Sequence, residues 1–148
     1  VDSGTNVWTR VETLPARRAV VVRVWGEVDH LTIESVRSAI DRGFAVAAVS
    51  HAAPSPAAGP SVVAPIEVLV LDLAQVTFFG SLGLVTLLQA REQAIGRGIR
   101  LVVVIPPGHP IRRLTRMTEV DRDLELAASV DQALAIPPVG RHHKPDPG

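Results

Sequence analysis

Five histidines, a serine set among glycines and a handful of carboxylates near strand ends are the residues that could do chemistry in this 148-residue chain. The histidines are His30, His51, His109, His142 and His143. Only the last two adjoin, in a polar, proline-rich terminus with no scaffold to hold a metal, so no metal site is expected. Ser81 lies in FFGSLGL without a base beside it and without the GxSxG elbow that would make it a nucleophile. The glycines form neither GxGxxG nor a phosphate loop with its lysine, so no cofactor is expected. The chain has no cysteine, which excludes disulfides, thiolate metal sites and a cysteine nucleophile. Glu27, Asp29 and Asp72 could gather as a carboxylate cluster, although turn and capping roles suit them better. No catalytic set emerges, and the chain is not expected to be an enzyme.

The elements that would position these residues follow from apolar spacing. Val7 to Leu14 alternates loosely and suits a half-exposed strand. Pro15 to Arg18 is a turn. AVVVRVW, Ala19 to Trp25, is a second strand closed by Gly26, and the short link implies an antiparallel pair. Ile33, Val36, Ile40 and Phe44 recur at helical spacing, with Asp29 or Thr32 as cap and Gly43 near the end. IEVLVLDL, Ile66 to Leu73, is a strand buried on both faces. Ser81 to Gly96 is a helix, and IRLVVVI, Ile99 to Ile105, is another buried strand. Pro110 opens a helix whose apolar face is Ile111, Leu114 and Met117. Leu124 to Ala127 is a short edge strand. Ser129 with Gln132 forms a capping-box pattern for a last helix to Ala135.

Two stretches fall outside this pattern. Residues 50–64 mix Ala, Pro, Ser and Gly without period and read as a flexible insertion, either a partner-binding lid or a tolerated surface loop. Residues 137–148 read as a disordered tail. A single domain over residues 7–136 is therefore expected. The order of elements implies an α/β fold with a mixed sheet of four or five strands and helices mainly on one face. Formal net charge is zero, which argues against nucleic acid as a partner. No apolar run reaches the length of a membrane span and none reads as a signal peptide, so a cytoplasmic location is expected.

Three segments together are more specific: GEVD at Gly26–Asp29, LVLDLAQVTFFGSLGLVTLL at Leu69–Leu88, and HPIRRLTRMTEV at His109–Val120. They resemble the STAS domain of bacterial anti-sigma factor antagonists, from about Val7 to Ala135 without the insertion. In that family a strand leads into V-x-F, a hydrophobic residue, D-S, then Ser, Ala or Thr, and Gly, which opens a helix. A partner anti-sigma kinase phosphorylates the residue just before that Gly. Aligned on Phe78 and Gly83, Gly80 takes the aspartate position, Ser81 the first serine and Leu82 the phosphoacceptor. Asp29 matches the aspartate of the family's G-E-x-D loop.

Leucine cannot take phosphate, so the resemblance implies an antagonist without the usual phospho-switch. Ser81 next door is the natural helix N-cap, with its oxygen turned to backbone N–H groups, and this makes it a poor substitute acceptor. At about 100° per residue, Leu84, Leu87, Leu88, Ala94 and Ile95 share the core face of the helix. Leu82 points away from them, beside Val85, and Thr86, Gln89 and Gln93 point its way. The expected partner surface is Asp29, Gly80, Ser81, Leu82, Gly83, Val85 and Thr86. The plain alternative is a scattered surface leucine, or one covered by the insertion.

The function this resemblance implies is binding an anti-sigma factor, itself a serine kinase in many such systems, and so regulating sigma-dependent transcription. Homodimerisation is compatible with it. Two other classes stay open: a structural STAS subunit of a lipid-transport ATPase assembly, and a small-ligand or nucleotide sensor.

Overall fold

Valine, with some leucine, supplies most apolar positions of the strands, because a side chain branched at Cβ fits a pleated surface better than a helix. The computed structural model describes residues 6–50 and 65–135. Nearly all of the expected insertion and the whole of the expected tail lie outside the described residues. The strands are β1 (Val7–Leu14), β2 (Ala19–Val28), β3 (Val68–Phe79), β4 (Arg100–Val104) and β5 (Glu125–Ala127). They form one five-stranded sheet in the order β1-β2-β3-β4-β5. β1 and β2 are an antiparallel hairpin closed by a tight turn at Pro15–Arg17, and every other pairing is parallel. Parallel neighbours need long crossovers. Here α1 (Ile33–Ser50), α2 (Ser81–Arg97) and α3 (Pro110–Met117) lie within those crossovers, and α4 (Val130–Ala135) follows the last strand.

Alternation along the strands separates two cores. Val20, Val22, Val24, Leu69, Leu71 and Val103 face the larger one, with Val36, Ile40 and Phe44 of α1, Leu84 and Leu87 of α2, and Ile111 of α3. Val21, Val70, Val102 and Val104 face the other side, where Ala133 and Leu134 of α4 pack. The fold is the expected α/β domain with a mixed sheet. Three helices cover one face and the short α4 part of the other. Ser129 Oγ accepts from Gln132 N at 3.0 Å, and Gln132 Oε1 accepts from Ala128 N at 2.5 Å, so the last helix carries its expected cap.

Several boundaries differ from the sequence expectation. β2 does not stop at Gly26 but continues to Val28, with register shifts on either side of that glycine. Gly26 has φ +101, and a Cβ there would sit 2.1 Å from the Asn6 carbonyl oxygen. Gly43 does not end α1. A Cβ on it would meet Val22 Cγ2 at 2.7 Å and Leu69 Cδ1 at 3.0 Å, so glycine lets the helix lie close on the sheet. β3 runs past Leu73 to Phe79. Met117 is exposed, and Thr115 takes the buried place on α3 instead.

Candidate functional site

The three motif segments converge at the C-terminal ends of the parallel strands. Phe79, the last residue of β3, stands opposite Val28, the last of β2. Gly80 N donates to the Val28 carbonyl at 3.1 Å, which ties the start of α2 to the loop after β2. In that loop Asp29 Oδ1 accepts from Leu31 N at 2.9 Å and Thr32 N at 3.2 Å. Thr32 Oγ1 accepts from Asp29 N at 3.0 Å and donates to the Glu27 carbonyl at 2.6 Å. Asp29 is thus half-buried, with one carboxylate oxygen committed to shaping its own turn, and Thr32 is buried beneath it. The third segment borders the same end. His109 Nδ1 accepts from Ile111 N at 3.2 Å and caps α3. A shallow groove of about 210 Å³ lies between His109, Pro110, Ile111 and Leu114 on one side and Thr77, Phe78 and Phe79 on the other.

The helix start itself is built on small residues. Gly80 is the N-cap, with extended backbone at φ −95 and ψ −173 and no side chain to cap with. Ser81 is the first helical residue, not the cap, and it is exposed. Its hydroxyl is therefore not tied up as an N-cap oxygen, which removes the geometric reason for excluding it as an acceptor. Gly83 is buried, because the Phe79 ring lies across it. A Cβ at Gly83 would stand 2.6 Å from the tip of that ring.

The helix phase holds for most of the site. Leu82 is 38% exposed and Val85 45%, against 8% for Leu84 and 1% for Leu87. Thr86 departs from it: at 4% exposure it is covered on the α1 side and does not belong to the surface. Gly83 is covered as well, so it shapes the site without presenting itself. Ile95 is exposed rather than core. Sequence reasoning missed Phe78 and Leu31, which are 53% and 72% exposed at the same strand ends. A longer β3 would have revealed Phe78, because its side chain alternates with that of Phe79. The exposed apolar residues Leu31, Phe78, Leu82 and Val85 thus lie on the segments that meet at these strand ends.

The carboxylates do not gather. Asp72, 8% exposed in mid-strand, pairs with Arg23 Nη1 at 2.9 Å and accepts from Ala74 N at 3.0 Å, while Asp29 serves its own loop. Arg23 also reaches Glu12 at 3.5 Å. Among the described residues no group of three His, Asp or Glu is placed to hold a metal, and no helix is long and apolar enough to cross a membrane.

Known proteins match this arrangement. A family model for the STAS domain matches residues 10–133. A crystal structure of an anti-sigma factor antagonist from Mycobacterium paratuberculosis superposes with TM-score 0.65 at 31% identity, over 86% of this chain and 91% of that one. The anti-sigma factor antagonist SpoIIAA in its unphosphorylated form gives TM-score 0.56 at 18% identity, over 86% and 93%. The Bacillus cell fate determinant SpoIIAA in its phosphorylated form gives 0.53 at 17%, over 86% and 96%. At those lower identities the SpoIIAA structures speak to the fold alone. No curated protein matches the chain. With the family model spanning most of the sequence and a relative above 30% identity sharing the fold, the chain belongs to the STAS domain family.

Proposed function

We propose that this chain is an anti-sigma factor antagonist that works by binding rather than catalysis. It takes an anti-sigma factor onto the C-terminal ends of β2 and β3 and the first turns of α2, and so releases a sigma factor for transcription. The observation that carries this reading is the apolar exposed surface at Leu82 and Val85, placed where the family resemblance puts the phosphoacceptor. The relative at 31% identity, an anti-sigma factor antagonist, supports it.

The chemistry of the site then differs from that of a phosphorylated switch. A phosphate at a helix start is well placed for its own chain, since the N-terminal N–H groups and the helix dipole favour negative charge. It acts on the partner, through about two negative charges that the interface must desolvate or repel. Leu82 brings apolar area instead. In this proposal the chain stays in a state equivalent to the unphosphorylated one, always able to bind. Ser81 is the remaining hydroxyl at the helix start.

Affinity capture with the tagged chain in its native host, followed by identification of what binds, tests the role. Recovery of an anti-sigma factor supports it, and a stable copurifying transport ATPase would replace it with a structural role in that assembly. Incubation of the chain with the captured partner and ATP, followed by mass-spectrometric mapping, tests the missing switch. Stoichiometric phosphate on Ser81 would overturn the unswitched reading.

A further inference from the structure

The two edges of the sheet differ. β5 is three residues long, too short to template another strand. β1 has eight residues, with no proline, lysine or bulge to blunt it, and among the described residues no strand pairs with its outer side. The ladder shows which backbone groups that side presents. Glu27 N donates to the Asn6 carbonyl at 2.9 Å, and bonded pairs alternate along an antiparallel ladder, so Trp8, Arg10, Glu12 and Leu14 spend their backbone groups on β2. β2 agrees. The carbonyls of Arg18, just before it, and of Val28 accept from Glu67 N at 2.8 Å and Gly80 N at 3.1 Å, so even positions there serve β3 and odd ones serve β1. The outer side of β1 therefore presents the N–H and C=O groups of Val7, Thr9, Val11 and Thr13.

The side chains of β1 alternate between the two faces of the sheet. Val7 and Val11 pack in the larger core, and Leu14 packs in the smaller one. Trp8, Arg10, Glu12 and Leu14 thus share the second face. Trp8 is 67% exposed there. Arg10 stands opposite Arg23, a like charge, and has no ion pair among the described residues, whereas Arg23 has both Asp72 and Glu12.

We propose that β1 pairs antiparallel with β1 of a second copy of this chain, about a two-fold axis between the two Val11 residues, and joins two five-stranded sheets into one. The register follows from parity and charge. Outward groups must meet outward groups, so Val11 can face Thr9, Val11 or Thr13 of the second copy. Facing Thr9 sets Arg10 against Arg10, and facing Thr13 sets Glu12 against Glu12. Like charges directly opposite are destabilising. Facing Val11 sets Arg10 against Glu12, Thr9 against Thr13 and Trp8 against Leu14, each twice by symmetry. The first and last of these pairs then take the non-hydrogen-bonded positions, where side chains lie closer. Arg10 gains the carboxylate it lacks, the exposed indole gains apolar cover, and the outward backbone groups of Thr9, Val11 and Thr13 are bonded in both copies. Each copy offers the same patch, so assembly closes at two. This inference does not rest on the reading of the helix start, since β1 takes no part in the surface proposed for the partner.

Sedimentation of the full chain from about 1 µM to about 300 µM tests it, with a monomer–dimer equilibrium expected at Kd at or below about 100 µM. Arg10→Glu sets carboxylate against carboxylate in the dimer, and Glu12→Arg sets guanidinium against guanidinium. Each should weaken self-association at least about tenfold. Mixed one to one, the two variants meet only in opposite-charge pairs, and should associate within about threefold of the parent. Thr9→Pro tests the backbone. Its N–H points outward, so proline breaks no bond to β2, yet it removes a donor that the dimer uses in each copy. That variant should unfold cooperatively in urea and sediment as a monomer. A parent chain still monomeric at about 300 µM overturns the proposal. So do charge variants that self-associate as well as the parent, or a mixture that associates no more tightly than its components.

Discussion

Truncating Leu82 separates a partner surface from a core position. At 38% exposure, about three-fifths of the residue is already covered by its own fold and about two-fifths is left for a partner. Leu→Ala removes three carbons, worth about 2.4 kcal/mol at full burial on a scale of about 0.8 kcal/mol per carbon. Scaled by exposure, folding loses about 1.4 kcal/mol, and the higher helix propensity of alanine returns about 0.2 kcal/mol. Leu82→Ala should therefore cost about 1 kcal/mol of stability, with no cavity penalty at a half-open site. The remaining two-fifths corresponds to about 1 kcal/mol of binding, or about fivefold in Kd. Leu84, 8% exposed and one helical step away from Val85, is the control. Leu84→Ala empties core volume and should cost roughly 2–5 kcal/mol of stability. Urea unfolding of each variant and calorimetric titration with the captured anti-sigma factor read both quantities. Leu82→Glu should bind worse than Leu82→Ala, because it puts part of a phosphate's charge into the contact. If Leu82→Ala destabilises the fold as much as Leu84→Ala, the residue is core and the surface assignment fails. If Leu82→Glu binds as well as the parent, the surface lies elsewhere.

Gly80→Asp should raise stability by about 0.5 kcal/mol in chemical unfolding, since the backbone already has N-cap geometry and a carboxylate there can accept from the first turn. A Cβ at that site finds only ordinary contact, 3.5 Å from the Phe78 ring, so a loss of stability would show that the helix start is not as described. Gly96→Ala should stabilise by roughly 0.5–1 kcal/mol, because it lies within α2 and an added methyl meets nothing within 4 Å. Gly43→Ala has the same gain in propensity, but its methyl would press on Val22 and Leu69. Overpacking typically costs about 1–3 kcal/mol, so the net effect should be destabilising, and equal thermal shifts for the two glycine variants would refute the close approach of α1.

The helix boundary and the helix flanks show where local reading runs out. Ser81 has the side chain of a cap, yet the backbone turns helical one residue earlier and leaves Gly80 at the cap position. Propensity favours serine there by only a few tenths of a kcal/mol over glycine, too little to override the tie between Gly80 and Val28. On α2 the wheel correctly separates Leu82 and Val85 from Leu84 and Leu87, since the sheet covers one side whatever else happens. It misplaces Thr86 and Ile95, on the flanks, because their burial depends on whether a second helix lies alongside. α1 lies over Thr86, and nothing comparable covers Ile95 among the described residues. Gly43 misleads in the same way, as a glycine serves equally to end a helix and to let it approach a sheet.

By itself the sequence determined that the strands exist and that the central ones are buried, though not where β2 and β3 end. The runs IEVLVLDL and IRLVVVI hold apolar residues on both faces, which only a sheet covered on both sides can bury. It also determined the hairpin at the start, through the short link, and the apolar residue at the helix opening, since Leu82 is a fact of composition at a fixed spacing. The tertiary structure alone decided which ends meet. Asp29 and Gly80 are about fifty residues apart in the chain, and parallel pairing of β2 with β3 brings their strands to a common end. It alone decided that Thr86 of α2 is buried on the side of α1, since that depends on how two helices lie side by side on one sheet. The physical reason is one of range: periodicity reports the faces of a single element, whereas the partner of each face is set by packing between elements far apart in the sequence.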